Sequence, residues 1–577
     1  MNNFRSITIR GFRLSSDLVR LESVGAYRWL RSRSHVDSRQ IASRSIDGSV
    51  AVQHRQNNTS AASNKPRLSA VIVGAGPSGF YTAKYLSLAI SKLITANREE
   101  ETSIQTSSTS SAPFNYSGID IDIVERLPTP YGLVRYGVAP DHPEVKNVEN
   151  DFASVAEGHS DEMQCTISYF GNVDVGRDLS LEKLSSLYDI VVLAYGCQAD
   201  RNLGIPGLEL KGVLSAREFV NWYNGHPEFG SIGDVVQRCL WPDGNNGAVS
   251  KAQVVVIGNG NVALDCARVL VKGKPGLEST DTPSSVLDVL GQGVKKVTVA
   301  GRRGHVQGAF TIKELRELTK LKKEGYNASF QVRQDELDMG MTESSVKELN
   351  CASGRPKKRI DALLHDAASL DSSDDGAPKM VELRLLLNPT KIESCNQNAD
   401  QVSEVVFERT KLQGEPGKQQ AVGTGETETI PADLVIVSVG YKGEPLEGMS
   451  DSMFDKQSGV IANNHGKVSG DNNIFATGWI KRGPSGIIGT NITDTKDTVA
   501  SIMKYITSEC QNALIESPKG RAGLIDHLNS NGTKTVTWDQ YLQIDQVERD
   551  PKRLRNNVQP REKILSIKEM LDCLQKK

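Results

Sequence analysis

The sequence has little that would support a membrane span, a metal centre or a nucleic-acid interface. No run of its 577 residues approaches the ~18 consecutive apolar residues that a spanning helix needs. The eight cysteines are scattered, and the nearest two, Cys239 and Cys266, are 27 residues apart. This spacing excludes zinc ribbons, cysteine-ligated iron–sulfur clusters and close redox disulfides, and it favours a reducing compartment. The net charge of -2 gives no indication of nucleic-acid binding, and no metal ligands are predicted.

The N-terminal 66 residues differ in charge from the rest of the chain. They contain eleven Lys/Arg and four Asp/Glu, whereas the other 511 residues carry a net charge of -9. Seven arginines alternate with apolar and serine residues over 1–34, which predicts an organelle transit peptide, mitochondrial rather than plastid. We expect cleavage within about residues 30–66 and a location in the mitochondrial matrix. A disordered basic tail is the alternative.

The folded body is predicted to begin near Arg67. With 38% hydrophobic and 24% charged residues, a chain of this length can form about two to four domains. The polar, low-complexity segment 97–117 offers few side chains to bury, so we expect a surface loop there.

A glycine-rich turn opens the body. An apolar strand at 70–73 leads into Gly74-x-Gly76-x-x-Gly79 and then a helical pattern. In such a turn the first glycine permits the bend, the second admits a pyrophosphate, and the third lets helix and strand pack closely. The next strand, 119–124, ends at Glu125, whose carboxylate can accept hydrogen bonds from ribose hydroxyls and would repel a 2′-phosphate. This first site therefore favours FAD or NAD over NADP.

The same pattern recurs in the middle of the chain with the opposite charge. Strand 254–257 leads into Gly258-x-Gly260-x-x-Ala263, and the following strand, 297–300, ends in Gly301-Arg302-Arg303. Paired guanidiniums are donors suited to a phosphate dianion, so this second site favours NADP. A solvated surface pair is the alternative reading of the two arginines.

Two further apolar strands, at 188–196 and 433–441, also end in glycine and are predicted to be parallel strands of the two sheets. The sequence thus predicts an α/β protein with two Rossmann-like dinucleotide-binding domains. A nicotinamide beside a flavin forms a hydride-transfer pair, so a flavoprotein is favoured.

Four segments carry a resemblance to a known family: 127–152, 258–270, 301–318 and 476–499. They resemble mitochondrial NADPH:adrenodoxin (ferredoxin) reductases, and the resemblance extends from about residue 68 to the C-terminus. It implies a glutathione-reductase-like fold in which an NADP domain (200–441) is inserted into an FAD domain (67–199 and 442–577).

The resemblance also implies cofactor contacts for FAD and NADP. For FAD the positions are Gly74, Gly76, Ser78, Gly79, Glu125, Leu133, Val175, Trp479, Gly486, Ile487 and Ile488. For NADP they are Asn259, Gly260, Asn261, Val262, Arg302, Arg303, Glu314 and again Gly486. It places His142 and Asp265 near the isoalloxazine as candidate catalytic residues, although hydride transfer depends more on alignment than on acid–base chemistry.

The implied activity is electron transfer from NADPH through FAD to a small acidic [2Fe–2S] ferredoxin, by hydride transfer followed by single-electron steps. The basic segment Arg355, Lys357, Lys358 and Arg359, with Lys320, Lys322 and Lys323 before it, is a candidate docking surface. An ordinary solvated charge run is the alternative. Peripheral association with the inner membrane is left open.

Three other functions share this layout. A flavin monooxygenase would use O₂ instead of a protein acceptor. A subunit like the small subunit of glutamate synthase would need cysteine-rich cluster motifs, which this chain lacks. A nucleotide-sensing binding protein would not turn over, and the flavin absorbance of the purified chain would distinguish it.

Overall fold

Most of the chain after residue 64 is described by the computed structural model. The described residues are 65–103, 116–158, 164–244, 248–369, 378–395, 398–470, 473–508 and 518–575. The predicted transit peptide and linker, apart from Lys65 and Pro66, lie outside the described residues.

The strands include the predicted apolar runs as members of the two parallel sheets. They are β1 (Arg67–Val73), β2 (Gly118–Val124), β3 (Cys165–Phe170), β4 (Ile190–Leu193), β5 (Ala199–Asp200), β6 (Val213–Ser215), β7 (Ser250–Ile257), β8 (Val294–Gly301), β9 (Ala328–Val332), β10 (Lys379–Leu385), β11 (Leu387–Cys395), β12 (Asn398–Gln413), β13 (Gln420–Pro431), β14 (Leu434–Val437), β15 (Tyr441–Lys442), β16 (Phe454–Asp455), β17 (Val460–Ile461), β18 (Asn463–Asn464), β19 (Lys467–Val468) and β20 (Ile474–Ala476).

The helices occupy the segments between the strands. They are α1 (Pro77–Ser103), α2 (Leu133–Tyr136), α3 (Pro143–Lys146), α4 (Val148–Glu157), α5 (Leu181–Leu187), α6 (Ala216–Tyr223), α7 (Ile232–Leu240), α8 (Asn261–Leu277, interrupted at Gly273), α9 (Ser284–Leu290), α10 (Ile312–Lys320), α11 (Gln334–Gly340), α12 (Glu343–Asn350), α13 (Arg355–Ala368), α14 (Trp479–Arg482), α15 (Thr490–Ser508), α16 (Gly520–Ser530), α17 (Trp538–Glu548) and α18 (Ile567–Cys573), with 3₁₀ turns at His305–Gln307, Ala352–Gly354 and Asp451–Met453.

The first sheet joins strands from both ends of the body. Its order is β18-β19-β20-β4-β1-β2-β3, and the pairs from β20 to β3 are parallel. The central strands β1 and β4 are buried and, apart from Ser69, apolar over their buried lengths, because helices cover both faces of the sheet. The short antiparallel strands β18 and β19 extend the β20 edge.

The second sheet is built from the middle of the chain. Its order is β6-β14-β7-β8-β10-β9, and every pair is parallel. The two predicted later strands are present as β4 and β14, shorter than predicted, and each lies in parallel beside the strand that precedes a glycine turn. A separate antiparallel sheet, β11-β12-β13, packs against the second sheet through a cluster that includes Phe407 and Val255.

The prediction of a loop over 97–117 is wrong at its N-terminal end. Helix α1 continues to Ser103, so residues 97–103 are helical. This stretch contains arginine and glutamate, which have good helix propensity, and low hydrophobicity alone does not stop a helix that is already formed. Residues 104–115 lie outside the described residues. Within the described parts of the chain, no helix has the length and hydrophobicity needed to cross a membrane.

Candidate functional site

The first glycine turn connects β1 to α1, and each of its glycines meets a different constraint. Gly74 has φ +109°, and a Cβ there would lie 2.8 Å from the Ala194 carbonyl oxygen. A Cβ on Gly79 would lie 2.0 Å from the carbonyl oxygen of Gly74, so this glycine allows the helix to approach the strand. A Cβ on Gly76 would meet nothing within 4 Å. Gly76 therefore faces open space at the N-terminus of α1, where backbone N–H groups favour an anion and the first turn has no acidic residue.

Glu125 closes this turn from the end of β2. Its Oε2 accepts a hydrogen bond from Ala75 N (2.9 Å) and its Oε1 accepts one from Leu127 N (3.1 Å). Burial raises the pKa of this carboxyl, while the backbone donors act in the opposite direction. The carboxylate thus holds the glycine turn against the second strand and lies in the wall of a cleft.

That cleft has a volume of about 480 Å³ and runs along the carboxyl ends of the strands of the first sheet. Its lining brings together residues that are more than 400 positions apart in the sequence. Two predicted FAD contacts, Gly79 and Gly486, do not line the cleft. Gly79 instead packs against the backbone of Gly74 within the turn. The predicted FAD contacts that line the cleft are Gly74, Gly76, Ser78, Glu125, Leu133, Val175, Trp479, Ile487 and Ile488.

Residues near the start of α14 form the wall next to the glycine turn. Gly478 has φ +75°, and a Cβ there would lie 2.5 Å from Ser78 Oγ, so only glycine allows this approach. Its N–H donates to Asp494 Oδ2 (2.5 Å). Trp479 stacks on Tyr441 with ring centroids 6.1 Å apart and an interplanar angle of 29°. The cleft therefore has a flat aromatic wall next to the glycine turn.

Further lining residues, which are not predicted from the sequence, come from α6 and the loop after it. Arg217, Asn221 and His226 reach the cleft from a segment that follows the second sheet's first strand. His226 Nδ1 accepts a hydrogen bond from Glu228 N (3.2 Å), and burial lowers the pKa of His226 to about 4. The imidazole is therefore neutral near pH 7. No motif marks these residues in the sequence.

The second glycine turn, between β7 and α8, repeats the geometry of the first. Gly258 has φ +125°, and a Cβ there would lie 2.1 Å from the Ser438 carbonyl oxygen, whereas a Cβ on Gly260 would meet nothing within 4 Å. Asn261 begins α8, and its Oδ1 accepts a hydrogen bond from Thr311 N (2.8 Å). Asn259 Nδ2 is buried without a hydrogen-bond partner. This turn thus offers an open glycine and an unused donor, both suited to a phosphate.

Arg302 and Arg303 follow the end of β8. Their carbonyl oxygens are fixed, because Thr410 Oγ1 donates to Arg302 O (2.8 Å) and Leu386 N donates to Arg303 O (3.4 Å). Among the described residues, neither guanidinium has an ion-pair partner, and Arg302 is exposed. Glu314, in the first turn of α10, accepts a hydrogen bond from Thr311 Oγ1. None of these residues lines the cleft beside Glu125.

His142 and Asp265, the two candidate catalytic residues, belong to one ionic network rather than to the cleft lining. His142 Nε2 lies 2.7 Å from Glu317 Oε2. Arg268 Nη1 lies 3.2 Å from the same Glu317 oxygen and 2.7 Å from Asp265 Oδ1. Burial raises the pKa of Asp265, and the Arg268 charge opposes that rise. The structure gives both residues a partner, and their catalytic role stays a prediction.

Two parallel sheets, each with a glycine turn of the dinucleotide-binding type, define a two-nucleotide oxidoreductase as the class of protein. Comparison with known families agrees, because residues 68–346 match the pyridine nucleotide-disulphide oxidoreductase family.

Individual relatives make the assignment more specific. The chain is 38% identical over 525 residues to the mitochondrial NADPH:adrenodoxin oxidoreductase of Arabidopsis thaliana, covering 89% of this chain and 96% of that protein. It is 36% identical over 511 residues to the human mitochondrial NADPH:adrenodoxin oxidoreductase, covering 87% and 91% respectively. A solved structure of Mycobacterium tuberculosis FprA in complex with NADPH matches with a TM-score of 0.73 and 35% identity, covering 88% of this chain and all of that one.

This chain belongs to the family of NADPH:adrenodoxin and NADPH–ferredoxin oxidoreductases. The predicted α/β fold class, the predicted resemblance and the prediction of an oxidoreductase of this family are confirmed.

Proposed function

We propose that this protein carries electrons from NADPH through bound FAD to a [2Fe–2S] ferredoxin. One observation carries the proposal: two glycine turns of the same geometry are followed by opposite charges, Glu125 at the first and Arg302 with Arg303 at the second. An acid at the ribose position repels a 2′-phosphate, whereas paired guanidiniums attract it. The two sites therefore select different dinucleotides.

The cleft beside Glu125 fits FAD. It offers an open glycine at a helix N-terminus for the pyrophosphate and a flat aromatic wall at Trp479 for the ring system. We assign 67–199 with 442–577 to the FAD-binding domain and 200–441 to the NADP-binding domain, since the first sheet takes strands from both ends of the body and the second from the middle. Bound FAD supplies two-electron uptake and one-electron release, which side chains cannot provide.

The second turn fits the phosphates of NADP. Gly260 leaves room for backbone contact, and the unpaired Asn259 Nδ2 is a donor that a bound phosphate would satisfy. Among the described residues, the side chains of Arg302 and Arg303 form no ion pair, so they can bind a 2′-phosphate without breaking an existing ionic contact.

Among the described residues, the cleft holds no pair of cysteines that could accept electrons from the flavin. Cys197 lines the cleft, but burial raises the pKa of its thiol to about 12, so it remains protonated. No second described cysteine lines the cleft, and Cys197 is a free cysteine. A reductase of the thioredoxin type needs a cysteine pair at the flavin, so this geometry favours an external acceptor.

The N-terminal end of α13 is the proposed docking surface for ferredoxin. Arg355, Lys358 and Arg359 are exposed there, while Lys357 pairs with Glu348. The first turn contains no acidic residue, so three cationic side chains lie at the positive end of the helix dipole. The helix dipole repels each of these cations, which destabilises the free protein by about 0.3–1 kcal/mol for each charge. The negative charge of a bound acidic protein would offset this repulsion.

The leader at 1–66 is proposed to direct the chain to the mitochondrial matrix, as its arginine-rich composition indicates. Relatives from plants and mammals are named as mitochondrial proteins. A fusion of residues 1–66 to a fluorescent protein should be imported by isolated mitochondria, and failure of import would contradict this assignment.

The function is tested by anaerobic reduction of a [2Fe–2S] ferredoxin by the purified yellow protein, with NADPH and NADH compared. We expect flavin bands, reduction with NADPH and little with NADH. A colourless protein would contradict the FAD site. Rapid NADPH oxidation only when O₂ is present would favour a monooxygenase.

The docking surface is tested with Arg355→Glu/Arg359→Glu. This change should slow ferredoxin reduction at least tenfold at low salt and leave ferricyanide reduction unchanged, because only the protein acceptor needs the patch. Lys552→Glu/Lys568→Glu, which changes the charge equally at exposed C-terminal positions, is the matched control. Equal losses with both acceptors would remove α13 from docking.

A further inference from the structure

Two histidines and an aspartate outside the proposed nucleotide sites come together beside α13. His305 begins the 3₁₀ turn that follows Arg303 by one residue. Asp361 and His365 lie on α13, four residues apart and hence on the same face. One ligand atom from each residue lies within 4.8 Å of the others.

The distances between these atoms are close to those of a metal site. His305 Nε2 is 2.8 Å from Asp361 Oδ1, and His365 Nε2 is 3.5 Å from the same oxygen. Ligands about 2.0–2.2 Å from a tetrahedral zinc ion lie about 3.3–3.5 Å from one another. Small side-chain rotations would therefore place all three atoms around one ion.

A simple histidine–aspartate ion pair does not explain the cluster. Such a pair needs one imidazole, whereas here two imidazoles approach one carboxylate oxygen, with their ring centroids 6.1 Å apart. Two imidazolium groups at this spacing would repel each other. Two neutral imidazoles directed at a shared cation would not, and the carboxylate would add a favourable charge.

The surroundings provide further features of a metal site. The His305 side chain is fully buried, so its orientation is fixed by packing. The Nδ1 atom of His365 is 3.1 Å from the Gln334 side-chain amide, which leaves Nε2 directed at Asp361. A partner on the second ring nitrogen is usual for a histidine that binds metal, and His365 has one, whereas His305 Nδ1 is buried without a partner. Side-chain exposures of 23% for Asp361 and 35% for His365 leave a path for an ion and for a water ligand.

We propose that His305, Asp361 and His365 form a binding site for a divalent transition-metal cation, with zinc as the preferred metal. Imidazole nitrogens with one carboxylate oxygen suit zinc, whereas calcium and magnesium need more oxygen ligands. No motif in the sequence indicates a metal here, because His305 is 56 residues from Asp361. A bound ion would join the turn after Arg303 to the helix that begins at Arg355, and so restrain both segments.

The experiment is a metal titration of the full chain after removal of metals with a chelator. Zinc binding is measured by isothermal titration calorimetry, and Co²⁺ is used as a probe because tetrahedral coordination gives it intense visible absorption. We expect one site for each chain. Asp361→Asn and His365→Ala should each weaken binding at least about tenfold, since ligand loss costs no less than loss of an outer-shell partner.

His465→Ala is the matched control. His465 Nδ1 lies 2.9 Å from Asp497 Oδ1, so the control removes a histidine–aspartate pair that lacks the second imidazole. It should leave binding unchanged. His365→Cys replaces one zinc ligand by another, so it should retain zinc binding and add a thiolate-to-cobalt absorption band.

Two results would overturn the proposal. One is the absence of zinc binding by the wild-type chain at micromolar concentrations. The other is unchanged affinity in His365→Ala, which would place the ion elsewhere in the chain. Circular dichroism of each variant should match the wild type, and His365→Cys distinguishes loss of a ligand from loss of fold.

Discussion

Replacement of Arg302 and Arg303 by alanine tests the charge difference between the two proposed nucleotide sites. Both side chains lack an ion-pair partner among the described residues, and their backbone oxygens are held by Thr410 and Leu386 whatever the side chain. The substitution should therefore change the free energy of unfolding by no more than about 0.5 kcal/mol. Any loss of activity then reports on nucleotide binding.

The magnitude follows from the number of hydrogen bonds lost. A hydrogen bond to a charged group contributes about 1.5–3 kcal/mol, and the lower value applies where Arg302 is exposed to solvent. Two such losses give about 3 kcal/mol, which corresponds to a fall of about 100-fold in kcat/KM for NADPH. NADH has no 2′-phosphate, so its kcat/KM should change by less than about twofold.

Ferricyanide reduction is the suitable assay because it does not require the docking surface. The fall should appear mainly in KM, since the 2′-phosphate is far from the reacting carbon and contributes uniform binding. Arg238→Ala, at an exposed arginine of α7 for which no ion pair is described, is the control and should be neutral. Equal losses with NADPH and NADH, or no loss with NADPH, would refute the assignment of these arginines.

Three further predictions concern the first sheet and the cleft. Gly79→Ala should destabilise the protein by at least about 1–3 kcal/mol in urea unfolding, because the added methyl group would overlap the carbonyl oxygen of Gly74. Gly76→Ala should fold normally, since its methyl group meets no protein atom, but it should retain less FAD after gel filtration. Glu548→Gln should cost about 3–5 kcal/mol, since Arg135 would be left as a buried charge, and a smaller change than 1 kcal/mol would contradict this. His226 has a folded pKa of about 4, below its unfolded value, so the unfolded chain binds more protons between pH 6.5 and 4. As the pH is lowered from 6.5 to 4, the free energy of unfolding of the wild type should therefore decrease by up to about 1.4 kcal/mol per pH unit relative to that of His226→Asn. Parallel pH profiles for the two proteins would refute this prediction.

The sequence predicts the two turns well because each of their glycines responds to a local constraint. Gly74 and Gly258 need positive φ, and both lack room for a Cβ against the backbone of a later parallel strand. The residues that follow, Glu125 and Arg302, each come directly after the strand that precedes them, so their places in the chain are known once that strand is recognised. A pattern of strand, turn and helix therefore carries enough information to locate both glycine turns, and the nucleotide sites proposed there stay predictions.

Other parts of the site depend on contacts between distant segments. Arg217 and His226 line the cleft although α6, with Phe219 and Trp222, packs into the core around the second sheet, and no periodicity in the sequence indicates this. His142 and Asp265 are joined through Arg268, a fully buried arginine whose partners come from three separate segments. The loop prediction at 97–103 failed for a different reason, since it relied on composition and neglected helix propensity.

The position of β20 determines when the protein can complete its fold. Strand β4 has β20 as a neighbour, so one of its edges has no partner until residues 474–476 have left the ribosome. Lys563 and Arg561, which pair with Asp281 and Glu149, are made later still. A nascent chain that has not yet reached β20 therefore exposes an apolar strand edge of the kind that aggregates. For the same reason, a premature stop codon late in the gene should yield an insoluble polypeptide rather than a shortened enzyme.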